Sequence, residues 1–405
     1  MLRNIRCNIG HKAVKIVSLL VLCMLNSCQR EPEIPAGIDD FPRVEIHSSK
    51  PYNRISRTDH HCSVTITDGT TQLKDAEGQI RLRGNSTSNR PKRPFTLHLD
   101  EEFPVCGMPS ASAWILLANY YDKTMLRNAL AFSITEESAL TWTPHSRFVE
   151  LWFNNEYKGT YQLCEKIQMH PNRMNMDEDG WLVEVDSRTP EEVPQFRTQQ
   201  LENTVRVHYP QAASDRQVAE IAAYFTETEN ALFGANFTDS IEGWRHYIDE
   251  TSWVDWYIIN ELAKNVDALF FSSCYMHSGN DGRIVIGPVW DYDLAFGNTT
   301  FNGTDSTEGW YIRYAHWYLR LFEDPAFVAA VQKRFAWFYS RREDYFQFIR
   351  TNAVVMRPHV RANESVWHTM DRQIWEEPLH CTYDENIDAL IEWLDKRFEW
   401  LKLNL

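Results

Sequence analysis

Three carboxylates in one stretch, Asp267, Asp291 and Asp293, are the first chemistry this chain offers. Acids that converge on a rigid scaffold suit a divalent cation and the phosphates it bridges. Asp-x-Asp places both acids on one side of the chain wherever the backbone stays extended past Trp290. The pattern is short and common, and by itself it equally describes turn acids that cap local backbone groups. A third use is a glycosidase pair, with carboxyls roughly 5 to 10 Å apart in a cleft lined by exposed tryptophan.

The element that must position these acids reads as a β-hairpin. Two apolar, aromatic-rich runs, 268–276 and 283–290, flank a Ser-Gly-Asn-Asp-Gly turn at 278–282. Asp267 stands just before the first run, and Asp291 and Asp293 stand just past the second. A hairpin brings its two ends together, so the three acids are expected at one end of the ribbon.

A cationic partner is offered by residues 83–94, Arg-Gly-Asn-Ser-Thr-Ser-Asn-Arg-Pro-Lys-Arg-Pro, between two short alternating strands. Glycine and small hydroxyls let backbone amides approach phosphates, and Lys92 or Arg83 can reach their oxygens. The same composition describes a solvated basic turn. The GxGxxG of ordinary kinases is missing.

The order acid, hairpin, Trp290-Asp291-x-Asp293, then Ala295-Phe296-Gly297 resembles the signature of the spore-coat-protein-H family, the CotH-type atypical protein kinases. Arg83-Gly84-x-Ser86…Pro91-Lys92-Arg93-x-Phe95 is similar to that family's Arg-Gly-x-Ser…Pro-Lys-Lys-x-Tyr, departing at Arg93 and Phe95. Leu116-x-Ala118-Asn119…Asp122…Leu126-Arg127-Asn128 and Tyr161-x-Leu163-x-Glu165-x-Ile167 extend the likeness over nearly the whole mature length.

The resemblance implies an α+β, two-lobed kinase-like fold with a β-rich N-terminal lobe (41–190) and a helix-rich C-terminal lobe (191–405). It implies ATP with Mg²⁺ or Mn²⁺ as cofactors and phosphoryl transfer to Ser/Thr of a protein substrate at the cell envelope. Asp267 would be the base, Asp291 a metal ligand, with Asp293 as a second, and Lys92 the phosphate lysine, oriented by Glu165. Arg83 and Arg127 complete the nucleotide-binding set, Arg127 more in the manner of a structural arginine holding an acid. Ser272-Ser273 stands where the family usually carries an asparagine that helps hold a second metal, and a hydroxyl is the poorer ligand. An exported protein meets little ATP, so a non-catalytic surface binding or adhesion role on the same fold is the main alternative.

The scaffold around these residues reads in order. Alternating strands are expected at 44–46, 62–67, 79–83 and 95–99, a buried strand at 114–119, and a helix from Asp122 as N-cap. A second hairpin spans 147–153 and 160–167, a further strand 181–186, and the polar segment 189–203 is the expected lobe boundary. Helical stripes follow, with Asp324-Pro325 opening one helix and Ile387, Leu390, Leu394, Phe398 and Leu401 marking the last.

The chain has 405 residues, 43% hydrophobic, enough for a large core and two lobes. Its formal charge of -15 disfavours nucleic acid as a partner. Arg3, Arg6, Lys12 and Lys15 precede an apolar run at 16–25 that is too short to span a bilayer and ends at Cys28. This resembles a lipoprotein signal (1–28) with Cys28 as the lipidation site, followed by a tether (29–40). The expected location is therefore a membrane-anchored lipoprotein facing the periplasm or cell surface. Cys62, Cys106, Cys164, Cys274 and Cys381 show no metal spacing, so the fold rests on its core rather than on disulfides.

Overall fold

Up to residue 165 the first strands alternate apolar and polar side chains, those at 146–153 and 156–165 are buried along most of their length, and pairing of the first strand with the strand at 146–153 closes them into a barrel. The computed structural model describes residues 41–69 and 72–405. In it β1 (Arg43–Ser48) pairs antiparallel with β2 (His60–Thr67) and parallel with β6 (Ser146–Phe153). With β3 (Gln72–Leu82), β4 (Phe95–Val105), β5 (Met108–Leu117) and β7 (Glu156–Glu165) the order is β1-β2-β3-β4-β5-β7-β6. Val44, Val64, Ile66, Ile80 and Leu97 fill the interior, and closure leaves no open strand edge. Asn154 and Asn155 make the tight β6–β7 turn with φ of 49° and 65°, the left-handed conformation asparagine tolerates.

Helix α1 (Arg127–Glu136) begins later than Asp122. The Asp122 carboxylate instead accepts from the Thr124 amide at 3.0 Å and from the Arg127 amide at 2.9 Å, reaching the helix's first residue across a turn. That is a correction to Asp122 as N-cap, and the carboxylate still satisfies an orphan amide.

A second, antiparallel sheet follows: β8 (Leu182–Val185), β9 (Gln195–Arg197), β10 (Thr204–Tyr209), β11 (Cys274–Ser278) and β12 (Ile284–Ile286), in the order β12-β11-β8-β10-β9. β8 thus belongs with strands late in the chain and not with the barrel, and 189–203, expected as a boundary, carries β9 within the sheet. Val183, Val185, Val205, Val207 and Met276 bury one face in a core shared with α2 (Asp215–Phe233) and α3 (Glu250–Ala263). Buried valines on alternate positions leave the intervening polar residues on the other face.

The hairpin is shorter than the sequence suggests. Residues 266–268 form a 3-10 turn, and Phe270 and Ser273 take φ of 58° and 59°, so the first strand cannot begin before Cys274.

Helices α4 (His316–Leu321), α5 (Pro325–Ser340), α6 (Arg342–Trp367) and α7 (Tyr383–Asn404) complete the chain. Asp324 caps α5 through the Ala326 amide at 2.9 Å, with Pro325 first in the helix. Ile387, Leu390, Leu394, Phe398 and Leu401 form the buried stripe of α7. The described residues make an α+β protein, and none of their helices is long and apolar enough to cross a membrane. The Cys28 site and its tether lie outside the described residues.

Candidate active site

Where β3 leaves the barrel, Arg83 and Gly84 turn into the basic loop. Gly84 has φ +83°, and a Cβ there would lie 2.3 Å from Thr87 Oγ1, so only glycine allows this turn. Arg57 donates to the Gly84 carbonyl at 2.7 Å and Ser88 donates to the Asn85 carbonyl at 2.8 Å, which hold the loop's shape. Residues 84–87 then line a cavity of about 490 Å³. That size suits a small-molecule ligand.

The opposite lining is acidic. Asp267, Asp291 and Asp293 all reach this cavity, so the structure brings together the three acids singled out in the sequence. They arrive by a different route from the one expected. Asp291 has φ 65°, so the chain is not extended between it and Asp293, and a turn rather than strand alternation aims them.

Buried amides fix that turn. Asn128 accepts from the Tyr292 amide at 2.7 Å, Asn260 accepts from the Tyr292 hydroxyl at 2.7 Å, and Asn298 donates to the Asp293 carbonyl at 2.6 Å. Gly297, with φ +73°, sits where a Cβ would fall 2.4 Å from the Trp393 ring. Asn265 accepts from the Asp267 amide at 3.3 Å. Left-handed backbone at Asn119, Phe270, Ser273, Asp291 and Phe296 concentrates strain around the site, as catalytic and ligand-binding sites commonly do.

The charges are frustrated. Burial, and then the charge of Asp291, push the Asp267 carboxyl up to about 7, while Arg188 pulls it down. Burial also raises Asp291, against Arg83 and Arg188, and raises Asp293 well above the carboxylate range with help from Asp291 and Asp267. A hard divalent cation is the group that relieves such a cluster, and an all-oxygen donor set fits it. Among the described residues no three His, Cys, Asp or Glu groups are arranged to hold a metal unaided. The acids therefore suit a magnesium-like ion, which takes one or two carboxylates and completes its shell with water and substrate phosphate.

Arg83 lines the cavity, stacked over the Trp290 ring at 5.3 Å. Arg127 is buried: its guanidinium binds Asp122 at 2.6 Å and the Ala295 carbonyl at 3.1 Å, tying α1 to the acidic turn without facing the cavity. Lys92 is not brought to the acids. It is 1% exposed, is absent from the cavity lining, and donates to the Thr160 carbonyl at 2.5 Å. Burial lowers its amine to about 7 against the pull of Glu150 and Glu364. Glu165 binds the His145 amide and ring at 2.9 and 2.8 Å and faces Arg173, so the expected Lys92–Glu165 pair does not form. The physical reason is position along the strand: Lys92 lies in the bend before β4 and meets β7 at Thr160, five residues before Glu165 at that strand's far end.

Several lining residues escaped the sequence reading. Glu184 and Asp186 come from β8 and its end, Arg206 and His208 from β10, and Lys166 from the end of β7. His208 and Glu184 bond at 2.8 Å, and Ser272 donates to Asp186 at 3.1 Å. Although burial would raise Glu184, His208 and Arg206 hold it below its ordinary value. The signal was present: Val183-Glu184-Val185-Asp186 and Val205-Arg206-Val207-His208 alternate valine with charge, so each pair shares a face.

A family model described as CotH kinase protein matches residues 80–401, most of the chain. No curated protein matches it.

Proposed function

Because the chain belongs to the CotH kinase family, we propose that it is an exported protein kinase that moves the terminal phosphate of ATP to a Ser or Thr hydroxyl of a cell-envelope protein. The observation that carries this reading is the cavity itself, where Asp267, Asp291 and Asp293 line the same space as Arg83 and the small-residue loop at 84–87. Phosphoryl transfer needs this combination of metal-holding acid, phosphate-facing cation and general base.

Asp291, with Asp293, would hold the divalent ion, which when bound neutralises charge on the phosphates. Asp267 takes the proton of the acceptor hydroxyl as its oxygen bonds to the terminal phosphorus and the bridging P–O bond to ADP breaks. Burial, the largest cause raising Asp267 above an ordinary carboxyl, makes it a stronger base than an exposed aspartate for that exchange. The two-lobed kinase arrangement corresponds, on this reading, to the barrel on one side of the cavity and the second sheet with its helices on the other. Export and anchoring rest on the N-terminal basic and apolar segments and Cys28.

A glycosidase is less well supported, because the one tryptophan in the described cavity lining, Trp290, is 6% exposed and covered by Arg83. The test is transfer of labelled phosphate from ATP by residues 29–405 with Mg²⁺ and with Mn²⁺. Asp267→Asn should abolish transfer and leave nucleotide affinity nearly intact, since a base acts on the acceptor. No transfer by the wild type to itself or to Ser-rich peptides with either metal removes the catalytic reading.

A further inference from the structure

One part of the cavity lining is built from cations that have no carboxylate bonded to them. Lys166, Arg83 and Arg206 line the cavity, and among the described residues none of their side chains makes a hydrogen bond or ion pair, Arg83 having only its contact with Trp290. Arg81 lines it too, held loosely to Asp59 at 3.8 Å in an exposed pair. Like charges gathered in a partly desolvated concavity repel one another, and a polyanion is the ligand that relieves them.

We propose that Lys166, with Arg83 and Arg206, is the phosphate-binding set of this site, Lys166 taking the part that the sequence pattern gives Lys92. The proposal rests on the nucleotide reading above for the identity of the polyanion as a nucleoside triphosphate. The geometry is favourable: Lys166 follows β7 directly, on the cavity side, while Lys92 is enclosed against Thr160. Arg206 stands opposite Glu184 on the neighbouring strand, and both line the cavity. Two planar guanidiniums together with a compact ammonium suit a chain of phosphates.

Burial and the charges of Arg81, Arg173, Arg83 and Arg206 lower the Lys166 amine to about 8. Those arginines face it from the end of β3, from the segment after β7 and from β10, with Glu184 on β8 as the nearest carboxylate-bearing strand to Arg206. A bound phosphate would favour the charged amine, so affinity should fall as pH rises through about 8.

The experiment is calorimetry on residues 29–405 with inorganic tripolyphosphate, Mg-ATP and adenosine, for wild type, Lys166→Gln and Lys166→Arg. Lys166→Gln should bind tripolyphosphate and Mg-ATP about tenfold or more weakly, bind adenosine unchanged, and melt no lower than wild type, since it removes an unpartnered charge. Lys166→Arg should restore most of the affinity and lose the decline through pH 8. Wild-type tripolyphosphate affinity in Lys166→Gln overturns the proposal, and if Mg-ATP still binds, the nucleotide reading survives it. Lys166-dependent binding of tripolyphosphate with none of ATP sinks the nucleotide reading and leaves the phosphate set standing. A wild type that binds neither overturns both.

Discussion

Asp291→Asn should make the metal-free protein more stable while destroying the site. Raising the Asp267 carboxyl from 3.8 to about 7 means that its ionised form costs about 4 kcal/mol more in the folded chain than in the unfolded one, an upper bound for a group open to a wet cavity. Burial is the largest cause and the Asp291 charge the next. Neutralising Asp291 should therefore return on the order of 1 kcal/mol through Asp267, with a further gain through Asp293, which Asp291 also raises. The sign follows from linkage: with the folded value above the unfolded one, the penalty is absent below about 4 and complete above about 7. The variant's advantage belongs at pH 8 and should disappear near pH 4. Denaturant unfolding in chelator at both pH values measures it. Adding Mg²⁺ at a hundredfold excess over its dissociation constant should then stabilise wild type by about 2.7 kcal/mol and the variant by much less. A variant less stable than wild type at pH 8 in chelator, or equally stabilised by Mg²⁺, refutes the account of this cluster as a frustrated cation site.

Other outcomes follow from the same contacts. Lys92→Met should change ATP affinity by less than about twofold and cost about 1–3 kcal/mol by orphaning the Thr160 carbonyl; tenfold weaker ATP binding would instead place Lys92 on the phosphates. Arg397→Met should cost about 3–5 kcal/mol, because Arg397 and Glu261 are both buried and bonded at 2.6 Å at the end of α3 that leads to Asp267; a loss below about 1 kcal/mol would show the pair to be dispensable. Cys28→Ala should move the protein from the membrane to the soluble fraction, and unchanged partition counts against a lipid anchor.

The sequence made the early barrel strands legible because β1, β2 and the start of β4 bury one face, so apolar residues such as Val44 and Ile46, Val64 and Ile66, Leu97 and Leu99 recur at every second position. It made the acids legible because Trp290-Asp291-x-Asp293 and Phe296-Gly297 form a compact string whose glycine is demanded by the Trp393 ring. It misplaced the start of α1 since Asp122 serves a turn that mimics a cap, and it overextended the hairpin since Phe270 and Ser273 look like strand residues yet take left-handed backbone. Glu184, Asp186, Arg206 and Lys166 were missed for a different reason. Their role depends on which strand lies beside which, and the pairing of β8 with β10 and β11 crosses long stretches of chain that local pattern does not encode.

Charge in the cavity is divided between two groups of side chains. Arg83, Lys166 and Arg206 share it with Asp267, Asp291 and Asp293, yet no direct ion pair joins the two groups, although opposite charges in a partly desolvated space attract strongly. What keeps them apart is covalent and geometric: the lysine and Arg83 leave the rim of a closed barrel, and the acids sit on a turn pinned by Asn128, Asn260 and Asn298. The acidic turn cannot relax toward the cations without breaking these buried hydrogen bonds, and the cations are held back by where their strands end, so each side retains unsatisfied charge. A ligand with the reverse polarity, cation toward the acids and phosphates toward the amines, satisfies both at once. A metal-bound polyphosphate has that form, and a neutral sugar does not.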